Sequence, residues 1–496
     1  MSSPSEARPS LPATPLRILH IGMELAPWAS TGGTSEVLAE LPAAQSRQGD
    51  RVTVVVPFHG TGSWPRHELQ TVEGANAALR LGDQRIPFKL GRLRHPAGFE
   101  VITVRSELFE RGGIYNHPDT GVPFDDSLLR ASVLCHAALY YALTAGGRWQ
   151  VIHGHDAEGA LACALLGRRF QPTPLQHARS VLTLHDVGRL GLLQPDQFQY
   201  TGMPTEDAAP GGPFELDGQL STLKAGLLGA DWVHTLSPTY ARELRNDPAI
   251  GGPLHDVFRS RGERVVGVVG GLDLSGWNPS TDPYLAASFD INDLSGRDIC
   301  REDLESLAQL KTVEAPEPRP VIVGVIGRLL RRRGMDLLAD AIPRLIGDGF
   351  FFVVQADGDP DLESSFTSIA ARYPGRVHVR IGWEPETARQ VLAGADLYCM
   401  PSRYEPNGMA QQYAMRYAAL PVVRRTGSLA DTVPDDVGIL FDEMTTESLC
   451  AALREGGAAV RDEEERRSRQ LKAMSLGTTW DQSAAMIRDQ LYLEGR

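Results

Sequence analysis

The 496-residue chain is poor in cysteine, in long apolar runs and in surplus positive charge, and each shortage closes off a class of function. Its five cysteines, Cys135, Cys163, Cys300, Cys399 and Cys450, are scattered, odd in number and in no CxxC pair. That argues against a disulfide framework or a cysteine zinc site and reads as buried thiols in a reducing cytoplasm. No apolar run approaches the roughly 18 residues that a membrane helix needs. The opening stretch, MSSPSEARPSLPATP, lacks an apolar h-region and reads as a disordered tail over residues 1–15, not a signal peptide. The expected location is the cytoplasm. Lys and Arg number 49 against 62 Asp and Glu, a formal net charge of -13. That balance argues against nucleic acid or an anionic membrane as the main partner. It leaves room for an anionic small molecule in a locally basic cleft.

What is present is strand and helix in alternation. Strand-like runs at Leu16–Met23, Arg51–Phe58, Phe99–Val104, Val151–His155, Ser180–His185 and Trp232–Leu236 are separated by helical stretches such as Ser127–Leu143 and Ala157–Phe170. Short apolar strands alternating with helices predict βαβ units and a mostly parallel sheet. The alternation stops near Trp277, and residues 278–320 read as a linker ending in VEAPEPRP. It restarts with strands at Val321–Gly327, Phe350–Gln355, Val377–Ile381, Leu397–Met400 and Pro421–Arg424, which predicts a second doubly wound domain over 321–475. The first domain is read over 16–277 and a last helical segment over 476–496. Open parallel sheets bind ligands beyond the carboxyl ends of their strands, so two such domains would face each other across an interdomain cleft.

Four clusters fall at predicted strand ends. Ser30-Thr31-Gly32-Gly33-Thr34 lies between the first strand and first helix, where paired glycines let backbone amides approach an oxyanion or simply make a tight turn. His153-Gly154-His155-Asp156-Ala157-Glu158-Gly159 lacks a matching ligand pair for a metal, so contacts to sugar hydroxyls or capping by Asp156 are the favoured readings. Gly327-Arg328-Leu329-Leu330-Arg331-Arg332-Arg333-Gly334 places four arginines in six residues of an acidic chain, suited to a diphosphate. A solvated turn is the plainer alternative. Pro401-Ser402-Arg403-Tyr404-Glu405-Pro406-Asn407-Gly408 fixes a carboxylate between proline and glycine, suited to ribose or hexose hydroxyls.

With these clusters in order, the chain resembles bacterial glycogen synthase and plant starch synthase, retaining transferases of the GT-B fold that use a nucleoside diphosphate glucose. The likeness is carried by AELPAAQSRQGDRVTVVVP, DGQLSTLKAGLLGADWVHTLSPTYAREL, GLDLSGWNPSTDPYL, PSRYEPNGMAQQYAMRYAALPVVRRTGSLADTV and TTWDQSAAMIRDQLY. The resemblance implies an α/β GT-B fold, in which the last helical segment, 476–496, returns to the first domain, and transfer of glucose from ADP-glucose or UDP-glucose to the 4-hydroxyl end of an α-1,4-glucan. It implies no metal and no cofactor, the nucleotide sugar being a substrate, and it leaves the oligomeric state open. By the same resemblance Arg328 and Arg333 would grip the diphosphate, Trp383 would stack on the base, and Glu405 would stand by the donor glucose. Asp126 and Glu158 would lie at the active site. Thr31, Gly32, Gly33, Gly408 and Met409 would line phosphate- or sugar-facing loops. The chain departs from the family at Ser30 (a lysine there), Thr34 (leucine), Glu158 (histidine), Gly270 (asparagine), Ala410 (threonine) and Ser428 (glycine). The backbone carbonyl of residue 158 would face the anomeric carbon whatever its side chain. Two readings follow: an active glucosyltransferase, or an impaired homologue that binds glucan or nucleotide sugar in a regulatory role.

Overall fold

A computed structural model describes residues 14–168, 173–311 and 319–494. The expected tail over 1–15 and the VEAPEPRP end of the linker lie almost wholly outside the described residues. The chain divides into two compact units, Met1–His234 with Ala484–Arg496, and Thr235–Ser483.

In the first unit the strands are β1 (Arg17–Ile21), β2 (Arg51–Pro57), β3 (Gln70–Leu81), β4 (Gln84–Arg94), β5 (Glu100–Arg105), β6 (Val151–His155), β7 (Arg179–Leu184) and β8 (Trp232–Thr235). They follow one another in space as β8, β7, β6, β1, β2, β5, β4, β3. β1 pairs in parallel with both β2 and β6, so the strand order reverses between β1 and β6. Their apolar runs are continuous because helices cover both faces; Ile18, Leu19, Ile21, Val54, Val55, Val151 and Ile152 are all fully buried. β3 and β4 form an antiparallel hairpin on the outer edge, which the mostly parallel expectation did not contain.

The second unit carries a six-stranded parallel sheet of β9 (Val321–Leu329), β10 (Phe350–Gly358), β11 (Val377–Ile381), β12 (Leu397–Met400), β13 (Leu420–Arg424) and β14 (Ile439–Phe441). In space they run β11, β10, β9, β12, β13, β14, so the reversal falls between β9 and β12. Phe350, Phe351 and Phe352 open β10 as three consecutive buried rings, possible because both faces of this sheet are covered. Each such burial is worth about 1.5–3 kcal/mol.

The unit boundary falls at 234, well before the expected 277. Residues 235–277 are tied to the second unit by hydrogen bonds. Thr239 Oγ1 donates to Asp431 at 2.7 Å, Glu243 accepts from Thr426 Oγ1 and Gly427 N, and Leu272 N donates to Thr478 O. The C-terminal return begins at 484 within the expected segment. There Tyr492 Oη meets His153 Nδ1 at 2.7 Å and accepts from Gln45 Nε2 at 3.1 Å, while Arg488 pairs with buried Asp50. No helix among the described residues is long and apolar enough to cross a membrane.

Candidate active site

In open α/β sheets ligands gather beyond the strand ends where strand order reverses. In the second unit that point lies between β9 and β12, and the loops that leave these strands are the arginine loop and the Pro401–Gly408 loop. The arginine loop tightens into a short 3₁₀ turn, Arg331–Arg333, closed by Gly334 at φ 69°. This turn directs its arginines in different ways. Arg333 is only 20% exposed, and its Nη2 stands 3.9 Å from Glu405 Oε1. Its Nε is buried without a hydrogen-bond partner. Gly327, at φ 131°, leaves the room: a Cβ there would stand 3.0 Å from Arg333 Nη1. Arg328 is 60% exposed and pairs with Asp357 on the neighbouring strand at 3.3 Å. Arg331 is exposed near Asp336, and Arg332 lies 5.8 Å over the Tyr404 ring. The four arginines therefore do not form one clamp, and Arg333 is the one set against the carboxylate.

Glu405 is 2% exposed, and Ser402 Oγ donates to its Oε2 at 3.2 Å. Its carbonyl accepts from Ser428 N at 2.9 Å and from Ser428 Oγ at 3.2 Å. Ser428 Oγ also accepts from Gly408 N at 2.6 Å. The serine that replaces a family glycine thus ties Glu405 to Gly408. Met409 follows as the N-cap of the helix Ala410–Arg416. Gly270, in place of the family asparagine, sits where a Cβ would come 3.3 Å from Asn407 Oδ1. Trp383 stands just past β11 with 56% of its surface exposed, an indole open for stacking.

In the first unit the reversal lies between β1 and β6, and the Ser30–Thr34 loop and the Asp156–Glu158 turn occupy it. Asp156 has φ 53°, a left-handed conformation that Asp tolerates better than most residues. Its carboxylate accepts from His185 N at 2.8 Å and from Thr34 Oγ1 at 3.5 Å, and burial lifts its pKa to about 6. These bonds tie Asp156, the first residue of the helix Asp156–Arg168, to the loops at His185 and Thr34. Ser30 Oγ spends itself on Ser35 Oγ at 2.5 Å. Gly32 is the N-cap of the helix that Gly33 opens. Thr31 N donates at 2.5 Å to buried Glu24, whose pKa burial raises although Tyr115 and Thr31 pull it back.

Glu158 is in an ion pair with Arg189 at 2.6 Å. Burial raises its pKa, and Arg189 partly offsets that. Arg189 stacks 3.8 Å over the Tyr115 ring. The Glu158 carbonyl accepts from Cys135 Sγ at 3.1 Å. Asp126 caps the helix Ser127–Thr144 by position and takes both carboxylate contacts from Arg111 Nη2, at 2.8 and 2.6 Å. Glu24, Tyr115 and Arg189 were not foreseen from sequence. They lie in three separate segments with no spacing pattern to join them.

His20, His153 and His155 bring ring nitrogens within 4.8 Å of one another, a geometry a metal could use. In the structure these nitrogens hydrogen-bond to protein groups. His20 reaches His155 at 3.0 Å and Gln45 at 2.8 Å, His155 reaches His185 at 3.1 Å, and His153 reaches Thr183 and Tyr492. Burial lowers the pKa of His20 and His185 to about 4 and holds those of His153 and His155 well below the ordinary imidazole range, so the array is neutral.

Comparison with known proteins places this geometry. Residues 17–260 match the starch synthase catalytic domain family, and residues 320–455 match glycosyl transferases group 1. Glycogen synthase of Anaeromyxobacter dehalogenans strain 2CP-1 is 34% identical over 477 residues, 95% of this chain and 97% of that one. Glycogen synthase of Myxococcus xanthus is 34% identical over 490 residues, 96% and 99% of the two chains. The catalytic domain of starch synthase IV from Arabidopsis thaliana, solved bound to ADP and acarbose, superposes with a TM-score of 0.84 at 26% identity, covering 97% of this chain and 99% of that one. The chain belongs to the glycogen synthase and starch synthase family, hexosyltransferases of the two-domain α/β GT-B fold.

Proposed function

We propose that this glucosyltransferase moves glucose from ADP-glucose to the 4-hydroxyl end of an α-1,4-glucan with retention, using no resident metal or cofactor. The observation that carries the site assignment is the placing of Arg333 3.9 Å from buried Glu405 at the strand-order reversal. As the bond from C1 to the diphosphate oxygen breaks, its electron pair leaves with the diphosphate, and a guanidinium fixed beforehand meets that charge without reorganising. Glu405 accepts from hydroxyls of the transferred sugar, and the acceptor hydroxyl attacks on the face the diphosphate leaves, giving its proton to the departing diphosphate oxygen. Trp383 stacks on the base, and Arg328, already shared with Asp357, holds the outer phosphate more weakly. The ADP preference is supported by the ADP bound in the starch synthase IV relative. The test incubates purified protein with ADP-glucose or UDP-glucose and a glycogen primer. Arg333→Ala should lower incorporation about 100- to 1000-fold, the cost of one lost preorganised contact, and Arg328→Ala should lower it less. Incorporation by Glu405→Ala equal to that of the wild type would overturn the assignment.

A further inference from the structure

The first unit contains a cavity of about 430 Å³ whose lining includes Glu158 and, beside it, Arg189, to which no role has been given above. Met23, Ile114 and Ala157 give it an apolar side, and Asn116 and Ser127 add polar groups. Glu158, Arg189 and Tyr115 complete the polar wall. Arg189 is held there from two directions, by Glu158 at 2.6 Å and by the Tyr115 ring 3.8 Å below its guanidinium. Burial works against its charge, but Glu158, Tyr115 and Asp156 outweigh that and raise its pKa. A guanidinium has five N–H donors, and these partners occupy only part of them. Its side chain remains 37% exposed, against 18% for Glu158.

A paired carboxylate and guanidinium have little net charge, so the wall they form suits a neutral ligand better than an anion. Side by side they offer an acceptor and a donor at fixed spacing, which matches neighbouring hydroxyls on a sugar ring. The apolar side would take the ring's C–H face. Arg130 also borders the cavity, but its guanidinium lies 4.3 Å over the Phe124 ring and donates to Ile114 O. Through Tyr115 and Glu24 the pair is connected to Thr31 in the glycine loop.

We infer that Arg189, acting with Glu158, is a substrate-recognition residue that binds hydroxyls of a hexosyl unit in this cavity and so sets which sugar is accepted. The inference rests on the glucosyltransferase reading. Its test compares wild type, Arg189→Ala and Arg189→Lys for transfer from ADP-glucose and from a series of ADP-monodeoxyglucoses to glycogen, with thermal melts as a control for folding. Losing one charge-assisted hydrogen bond predicts about a 10- to 100-fold lower kcat/KM for Arg189→Ala. It also predicts that the variant discriminates less than wild type against at least one deoxy donor, and that Arg189→Lys recovers part of both. A folded Arg189→Ala enzyme that transfers at the wild-type rate would overturn the inference and leave the transferase reading intact. So would a slower one whose ranking of deoxy donors is unchanged. Wild-type protein that transfers from no donor would overturn the transferase reading itself, and the inference with it.

Discussion

Lowering the pH from 8 to 5 should strip stability from the first unit, and the buried imidazoles give the size of the loss. Burial holds His20, His59 and His185 at about 4 against an ordinary 6.5. Because the folded value is the lower one, their contribution is intact above pH 6.5. It erodes as pH falls from 6.5 toward 4, while the unfolded chain takes up protons that the folded chain refuses. At pH 5 each of the three costs about 2 kcal/mol relative to pH 8, or about 6 together. Asp156 works in the opposite sense. Burial raises its pKa from 3.8 to about 6, so its folded-state penalty at pH 8 is relieved on acidification. By pH 5 that relief returns about 1 kcal/mol. These four groups together cost about 5 kcal/mol, a large share of the 5–15 kcal/mol typical of a domain; His153 and His155 add to the loss, and Glu24 and Glu158 offset part of it. Hydrogen–deuterium exchange read on Arg17–Ile21 and Val151–His155, with urea titrations at pH 8, 7, 6 and 5, would follow it. Protection of those strands that stays level down to pH 5 and falls only below pH 4 would refute the reasoning, since carboxylates alone would then be responsible.

Three further outcomes are expected. Gly427 has φ 45°, and a Cβ there would stand 2.1 Å from the Glu405 carbonyl oxygen. Gly427→Ala should therefore lower the melting temperature by several degrees and depress transfer together with it, as a thermal melt and the glycogen assay would record. Trp383→Ala should raise the KM for nucleotide sugar and leave the melt unchanged, because the indole is 56% exposed. Asp396 is 3% exposed; it pairs with Arg301 and, at 3.5 Å, with Arg319, and it accepts from Ile322 N at 2.9 Å. Asp396→Ala strands these cations and should cost about 3–5 kcal/mol in urea unfolding.

Much of this arrangement could be read from the residues, and the parts that could not share a physical reason. The continuous apolar strands of both sheets announce themselves because burial on two faces removes any need for polar alternation. The Glu405 loop was legible because proline, glycine and a carboxylate at a strand end have few other uses. The β3–β4 hairpin escaped notice because its burial alternates and Pro87 interrupts it, so it resembles neither a buried strand nor a helix. Composition could not separate the arginines of the loop, because Arg331–Arg333 form a 3₁₀ turn of about three residues per revolution that sends neighbouring side chains apart. The group Glu24, Tyr115 and Arg189 could not be found by spacing, because it comes together only when three distant loops meet above one sheet. The boundary at 234 was equally hidden, being set by Asp431 and Glu243 bonds between segments almost two hundred residues apart.

The first unit is interrupted: the chain leaves it at His234 and rejoins it at Ala484. During synthesis, then, its sheet must wait on the ribosome with the seats for Tyr492 and Arg488 empty until all of Thr235–Ser483 has been translated. The second unit is contiguous and can mature as soon as it emerges. Vectorial production therefore leaves the earlier-made half incomplete until its closing segment, Ala484–Arg496, is released.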